Sequence, residues 1–523
     1  MRIDRPRTSV PADGGILLRR QPFDRILVAN RGEIAVRILR AARECGLSTV
    51  AVHSSADANA RHVREADRSM FLGPAPATES YLCIDKVIDA ARESGAGAVH
   101  PGYGFLAENA ALPEACEDAG LVFVGPPAAA MRAMGDKAEA RQIALKAGVP
   151  VVPGYEGDDQ SDERLTAEAK AIGFPVLIKP SAGGGGKGMK RIASEAELAL
   201  GLESARREAR SSFGNDRLVL ERYLDPIRHV EIQVFGDATG VVHLFERECS
   251  VQRRHQKIIE EAPSPALNAE TRAQMGAAAV RLAAAVGYRS AGTVEFILAP
   301  DGSFYFLEMN TRLQVEHPVT ELTTGIDLAH AQLREAMGGE FGYSQSDLSL
   351  RGHAIEFRIY AEDPDSGFLP SVGRIAVYER PEGPGVRFDS GIDEGAEVTV
   401  YYDPILAKLV VWGADRDAAL LRARRALAET VLLGVRTNLD FLQTVTSHPV
   451  FTSGNATTRW IDQALADLTE PKTPSAPVLA LAAVAEHLTS GAASSRRAQG
   501  TVPGGDPYSP WEQLTGFRIG GTR

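Results

Sequence analysis

At 523 residues, with 44% hydrophobic and 24% charged side chains, the chain has the composition of a soluble globular protein with about two to four domains and a sizeable core. The net charge of −11 argues against a broad nucleic-acid surface, which would be basic, and requires any anionic substrate to be met by local clusters of Arg and Lys. No apolar run approaches membrane-spanning length, and Cys45, Cys83, Cys116 and Cys249 lack metal-type spacing and point to a reducing, cytoplasmic compartment.

Residues 1–22 carry five Arg against two Asp and have no apolar core of the secretory type, so they read as a disordered N-terminal extension. A short apolar strand is predicted over 25–30, then a helix over 33–45 that Gly46 stops, then a second strand over 48–53. Strand-like runs at 98–99 and 121–124 alternate with helical patterns at 81–94 and 109–119. This βαβ alternation predicts a parallel, Rossmann-like domain over 23–135 within an α/β chain. The first strand–helix junction reads NRGEIA, not G-x-G-x-x-G, which argues against a nicotinamide enzyme.

Over 136–224 the texture changes. A helix at 136–147 leads to a strand at 176–179 and then to SAGGGGKGMKRI. Four consecutive glycines cost conformational entropy, and the free N–H groups of such a loop can wrap phosphate oxygens. It is not a Walker A loop, because Gly188 rather than Ser or Thr follows Lys187. From 225 onward come the β-like runs HVEIQVFGD, VVHLFERE, TVEFIL, FYFLEMN, HAIEFRIYAED and VTVYYDPILAKLVVWG, then helical patterns at 415–431 and 437–446. A core over 225–360 and a β-rich C-terminal domain over 361–468 are expected. The Pro/Ala/Ser/Gly-rich stretch of 469–523 reads as a linker and the possible start of a further module.

Within that core, Asp301-Gly302 is flanked by alternating apolar residues and reads as a two-residue hairpin turn. Such a turn sets Pro300 against Ser303 and, counting outward, Glu295 opposite Glu308. Facing carboxylates repel, and a divalent cation with a taste for hard oxygen ligands, Mg²⁺ or Mn²⁺, relieves that repulsion.

Read together, ILVANRGEIAVRILRAARECG, HPGYGFLAEN, MGDKAEAR, VLIKPSAGGGGKGMK, DPIRHVEIQV, ERECSVQRRHQKIIEEAP, EMNTRLQVEHPVTE and EFRIYAEDP resemble the biotin carboxylases, the ATP-grasp component of biotin-dependent carboxylases, from Phe23 to about Leu468. RIYAEDP and YYDPILAKLVVWG look most like the α subunits of acyl-CoA carboxylases. The resemblance implies an ATP-grasp fold with a glycine-loop lid, and carboxylation of biotin by ATP and bicarbonate through carboxyphosphate.

Residue by residue, the resemblance implies ATP binding by Lys137, Lys179, Gly184, Gly185, Gly186, Glu221, His229, Gln252 and His255. It assigns Mg²⁺ or Mn²⁺ to Glu295 and Glu308, with Asn310 assisting, and bicarbonate to Lys257, Arg312, Gln314 and the Val315 N–H. Glu316 matches the general base, and acidic surroundings are expected to raise its pKa. Arg358 matches the residue that stabilises the biotin enolate, and Tyr103 and Gly104 the edge that receives the biotin ring. Arg40 and Glu44 match a dimer-contact face of stand-alone members.

No Met-Lys-Met carrier turn occurs, so biotin is expected as a visiting substrate on a carrier protein or domain, within an oligomeric complex that includes a carboxyltransferase subunit. The tail around Ser509-Pro510-Trp511 resembles the entry to the middle domain of longer α subunits. Another ATP-grasp ligase is disfavoured by RLQVEHPVTE, and a catalytically silent scaffolding role by the completeness of the catalytic set.

Overall fold

The computed structural model describes residues 22–181, 188–470 and 476–497; the predicted extension, apart from residue 22, and the loop glycines Gly184, Gly185 and Gly186 lie outside them. The chain divides into two compact units, Met1–Thr469 and Glu470–Arg523.

The first unit opens with β1 (Arg25–Val28), α1 (Gly32–Glu44), β2 (Ser48–Ser54), β3 (Arg68–Gly73), α2 (Ile84–Ser94), β4 (Ala98–His100), α3 (Ala111–Asp118) and β5 (Val122–Phe123). All five strands run parallel in the order β3-β2-β1-β4-β5. Ile26, Leu27 and Val28 are wholly buried, as expected for a parallel strand covered on both faces. Strand β3 escapes the sequence reading because RSMFLG lacks a clean alternation, its exposed Phe71 standing beside buried Leu72 and Gly73. The strand order reverses between β1 and β4, the topological switch point where open α/β sheets place ligands. There the Asn30 side chain donates to the Pro101 and Tyr103 carbonyls, at 2.7 Å each, and fixes the turn that presents Tyr103.

Next come α4 (Lys137–Lys146), β6 (Gly154–Tyr155), α5 (Asp162–Ile172), β7 (Val176–Pro180), β8 (Lys190–Ile192), α6 (Glu195–Phe213) and β9 (Leu218–Arg222). Asp136 caps α4, its carboxylate accepting from the Ala138 and Glu139 N–H groups at 2.9 Å each. The four strands pair antiparallel in the order β6-β9-β7-β8. Leu165 and Ala169 of α5 and Leu198, Leu202, Ala205 and Ala209 of α6 pack on Val176, Ile178 and Leu220, making a separate small core.

The largest element is an eight-stranded antiparallel sheet. Its strands are β10 (Arg228–Asp237), β11 (Gly240–Arg253), β12 (Gln256–Ala262), β13 (Ser290–Leu298), β14 (Phe304–Asn310), β15 (His353–Tyr360), β16 (Val386–Ser390) and β17 (Ile405–Gly413), in the order β14-β13-β10-β11-β12-β15-β17-β16. Helix α7 (Ala269–Ala285) backs its first half through Met275, Ala278, Ala279 and Leu282 against Val230, Ile232 and Val294. Helix α8 (His317–Thr324) follows the loop after β14. Because β15 pairs with β17 along its whole length, the segments 225–360 and 361–468 share one sheet. The run expected as one strand over 398–413 is broken at Asp403-Pro404, and only β17 enters the sheet. Helices α9 (Arg416–Glu429) and α10 (Leu439–Ser447) close the C-terminal core close to the predicted ranges.

The β13–β14 hairpin corrects the predicted turn. Ala299 N–H donates to the Ser303 carbonyl at 2.8 Å, so the loop has three residues, Pro300, Asp301 and Gly302, with Gly302 left-handed at φ 84°. Phe296 therefore faces Phe306, one residue off the expected register, and an irregularity between Glu295 and Phe296 restores the offset so that Glu295 still faces Glu308. Leu307 is the extra residue. The facing glutamates are as predicted, but through two one-residue deviations that cancel.

In the second unit, α11 (Ala476–Arg497) replaces the start of the expected linker. APVLALAAVAEHL is rich in Ala and Leu, the strongest helix formers, which outweighs the loop-like composition downstream. Among the described residues no helix is long and apolar enough to cross a membrane.

Candidate active site

Four neighbouring strands align one row of charge across the large sheet: Glu308 faces Glu295, Glu295 faces Glu231, and Glu231 faces Arg247. The period of two along β10 adds His229 to the same face. Such a row survives only if cations interleave with it. Lys257, from β12, provides the centre. Its Nζ donates to Glu231 at 2.6 Å, Glu295 at 2.9 Å and Glu316 at 2.7 Å, using all three ammonium protons. Burial alone would strip that proton, but Cys249 and the three carboxylates push the Lys257 pKa well above its ordinary value.

Glu295 is the most heavily engaged acid. One oxygen accepts from Lys257, from Asn310 at 2.8 Å and from Gln314 at 3.3 Å, and the other lies 2.9 Å from His229 Nε2. Burial works against its charge, yet Lys257 and His229 hold it well below the usual carboxylate range.

Glu316 is wholly buried, with Lys257 on one oxygen and Arg358 Nη2 at 3.0 Å from the other. Its pKa contradicts the sequence expectation. Burial pushes it up, but Lys257, Arg358 and Arg247 together hold it well below the ordinary value. The nearest groups are cations, brought in by strands the local motif does not contain. Arg358 is itself anchored by Glu260, which accepts from Nε at 2.6 Å.

A cavity of about 830 Å³ opens over this face. The residues expected at ATP, Lys137, Lys179, Glu221, His229, Gln252 and His255, all line it. So do Lys257, Glu295, Glu308, Asn310, Arg312, Gln314, Val315 and Arg358. Glu316 lies just behind the wall, whereas Tyr103 and Gly104 are not among the lining residues; the Tyr103 hydroxyl turns instead to Glu33. Lys179 pairs with Glu221, which Arg141 also approaches at 3.3 Å. Gln252 Nε2 lies 2.9 Å from His229 Nδ1. Arg312 donates to Asn310 Oδ1 at 3.1 Å and pairs with Glu108 of the first domain at 3.0 Å.

Glu308 is one-third exposed toward the cavity and has Lys137 at 3.4 Å. The paired carboxylates offer hard oxygen ligands that fit a divalent cation, and the Asn310 amide beside them steadies Glu295 through Nδ2 while its Oδ1 faces Arg312. His229, Glu231 and Glu295 bring donor atoms within 4.8 Å of one another, as do Glu231, Cys249 and Glu316, and Glu308 enters neither cluster. In both, the Lys257 ammonium already supplies positive charge.

Sequence reasoning missed Glu231, Arg247, Glu260 and Glu108. Glu231 had a signal, its place two residues after His229 on one strand face, while Arg247 and Glu260 reach the site only through strand register. Met131, Met134 and Met189 give the cavity an apolar wall; Met134 and Met189 stand within MGDKAEAR and VLIKPSAGGGGKGMK but were given no role there.

Family models described as the biotin carboxylase N-terminal domain, the carbamoyl-phosphate synthase L chain ATP-binding domain and the biotin carboxylase C-terminal domain match residues 22–131, 136–343 and 356–463. The chain is 52% identical over 505 residues to the mitochondrial methylcrotonoyl-CoA carboxylase alpha subunit of Dictyostelium discoideum, covering 96% of this chain and 71% of that protein. The propionyl-CoA carboxylase alpha chain of Ruegeria pomeroyi is 50% identical over 460 residues, 84% of this chain and 68% of that one. Among solved structures, the biotin carboxylase domain dimer of Hydrogenobacter thermophilus 2-oxoglutarate carboxylase, in complex with MgADP, ADP and bicarbonate, is 44% identical with a TM-score of 0.82, over 86% of this chain and 99% of that one. The chain spans 62 to 71% of the length of the methylcrotonoyl-CoA carboxylase alpha subunits it matches.

Proposed function

The chain belongs to the biotin carboxylase family, and we propose that it is the biotin carboxylase component of a biotin-dependent acyl-CoA carboxylase. The observation that carries this reading is Glu316 wedged between Lys257 and Arg358, at the end of the loop that follows Asn310 and presents Arg312, Gln314 and Val315 to the cavity.

ATP enters with its phosphates toward Lys137 and Lys179, and its nucleoside toward Glu221, His229, Gln252 and His255. Glu295 and Glu308, with Asn310, would hold Mg²⁺ or Mn²⁺, whose charge neutralises the phosphoryl oxygens during transfer. Bicarbonate, a small planar anion, suits the Arg312 guanidinium, with Lys257, Gln314 and the Val315 N–H completing its seat. Glu316 takes the bicarbonate proton as a bicarbonate oxygen bonds to the γ-phosphorus and the bond to ADP breaks.

The low pKa of Glu316 in the free chain bears on that step. An arriving anion competes for Lys257 and adds negative charge beside the carboxylate, and both effects raise its proton affinity. The base therefore strengthens when substrate is present. Carboxyphosphate then splits into CO₂ and phosphate, the phosphate takes the N1′ proton of biotin, and the ureido nitrogen attacks CO₂. Arg358 stabilises the enolate, and Tyr103 and Gly104 receive the biotin ring.

The working parts are a Rossmann-like domain over 23–135, a lid over 136–224, a catalytic core over 225–360 and a C-terminal domain over 361–468; the family matches begin and end near the outer limits of this division and at 131 and 136, and the central match spans the lid and most of the core. Biotin arrives on a carrier protein or domain, and a carboxyltransferase subunit consumes the product within an oligomeric, cytoplasmic complex.

ADP release by the full chain is expected to require bicarbonate and to be stimulated by free biotin. ADP formed equally well without either overturns the reading. The carbamoyl-phosphate synthase name of the central match favours one alternative, another ATP-grasp ligase. Amine ligation in a substrate screen would establish it.

A further inference from the structure

Lys408 lies on β17, wholly buried, paired in register with Arg358, and does not line the cavity. A buried ammonium is costly unless fully partnered, and its neighbours in the strand, Leu406, Leu409 and Val410, show that apolar residues fill this sheet well. Its partners indicate what the charge is for. Nζ donates to the Val315 carbonyl at 2.6 Å and lies 3.3 Å from Glu33 of α1. Glu33 foremost, and Asp389 with it, hold the proton on Lys408 against its burial.

The carbonyl that Lys408 grips belongs to the peptide joining Val315 to Glu316. The preceding carbonyl, that of Gln314, lies 2.8 Å from His317 Nδ1. A carbonyl only accepts, so Nδ1 bears the hydrogen, and burial keeps the His317 ring neutral. Two successive carbonyls of an irregular loop are thus tied by buried side chains reaching from behind. A charge-assisted bond to a fixed ammonium is the stronger tie.

We propose that Lys408 is a positioning residue for the reaction: through the Val315 carbonyl it fixes the peptide that carries Glu316 and the neighbouring Val315 N–H, and so sets how bicarbonate lies against its base. The inference rests on the proposed function, in which Glu316 and the Val315 N–H both meet bicarbonate. Glu33, which also accepts from the Tyr103 hydroxyl, is the counter-ion that braces Lys408 from the first domain.

The test is steady-state kinetics of Lys408→Met in the full chain, with free biotin as acceptor and thermal unfolding followed in parallel. Met keeps the volume but releases the carbonyl. The KM for bicarbonate is expected to rise roughly tenfold or more with a fall in kcat, because small misplacements at a reacting centre are amplified. The KM for ATP is expected to stay within about twofold, as its contacts are elsewhere. Lys408→Arg, which retains a donor, is expected to return the bicarbonate KM toward wild type.

If Lys408→Met leaves Glu33 unpaired and does not fold, Glu33→Gln/Lys408→Met removes both charges, keeps an acceptor for Tyr103, and is measured the same way. A folded variant with an unchanged bicarbonate KM, or with all constants falling in parallel with stability, overturns the positioning role. A wild-type chain without bicarbonate-dependent turnover would instead overturn the proposed function, and this inference with it.

Discussion

Glu316 touches a cation on each oxygen, and that arrangement fixes both its chemistry and its contribution to folding. Under the proposed function Glu316→Gln keeps the shape and loses the proton acceptor, so bicarbonate-dependent ADP formation is expected to vanish while ATP still protects against thermal unfolding. Its folded pKa lies below the unfolded value of about 4.3. The group therefore adds stability at pH values above the unfolded pKa and loses it as pH falls through the folded one. Urea titrations from about pH 3 to about pH 7 should show a shallower acid decline in Glu316→Gln than in wild type. Glu356 behaves oppositely: burial pushes its pKa well above the carboxylate range, and neither oxygen accepts a hydrogen bond from the described residues. Glu356→Gln copies a neutral acid and is expected to change stability at neutral pH by less than about 1 kcal/mol in urea denaturation. The identity of Glu316 was legible in RLQVEHPVTE, but the direction of its shift was not. Lys257, Arg358 and Arg247 stand on three other strands, and no local window holds them together with it.

The β13–β14 hairpin makes the same point for an element. Alternation placed both strands correctly, and Asp301-Gly302 marked the turn, yet a third loop residue and an extra residue at Leu307 were invisible. Local pattern fixes that a strand turns back; whether one more residue joins the loop depends on which side chains the sheet must bury. Here Phe296 and Phe306 belong to the core, and the glutamates face the cavity. Gly302 at φ 84° has open space where a Cβ would point, so Gly302→Ala carries backbone strain but no clash. A cost of about 1 kcal/mol is expected in urea denaturation, with catalysis little changed. A large loss of activity would mean that the turn alone sets the pairing.

Across the whole of the first unit, charge also joins the parts. Glu321 of α8 accepts from Arg37 of α1 at 3.0 Å and from Arg387 of β16 at 2.6 Å, and Arg387 also holds Asp389 at 2.7 Å. Arg387→Met leaves two buried carboxylates short of a partner and is expected to cost about 3 kcal/mol, measured as a fall in the urea midpoint. The parallel pairing of the N-terminal sheet was foreshadowed by its βα alternation, although β3 and the strand order were not. The order of the eight-stranded sheet was not, because neighbours such as β12 and β15, where Ala262 pairs with Ala354, lie far apart in the sequence and meet only in the folded chain. That shared sheet limits how the enzyme can be trimmed. A shortened version stopping at Tyr360 would bare the hydrogen-bonding edge of β15 and discard Lys408 with β17, leaving a sticky fragment instead of a smaller catalyst.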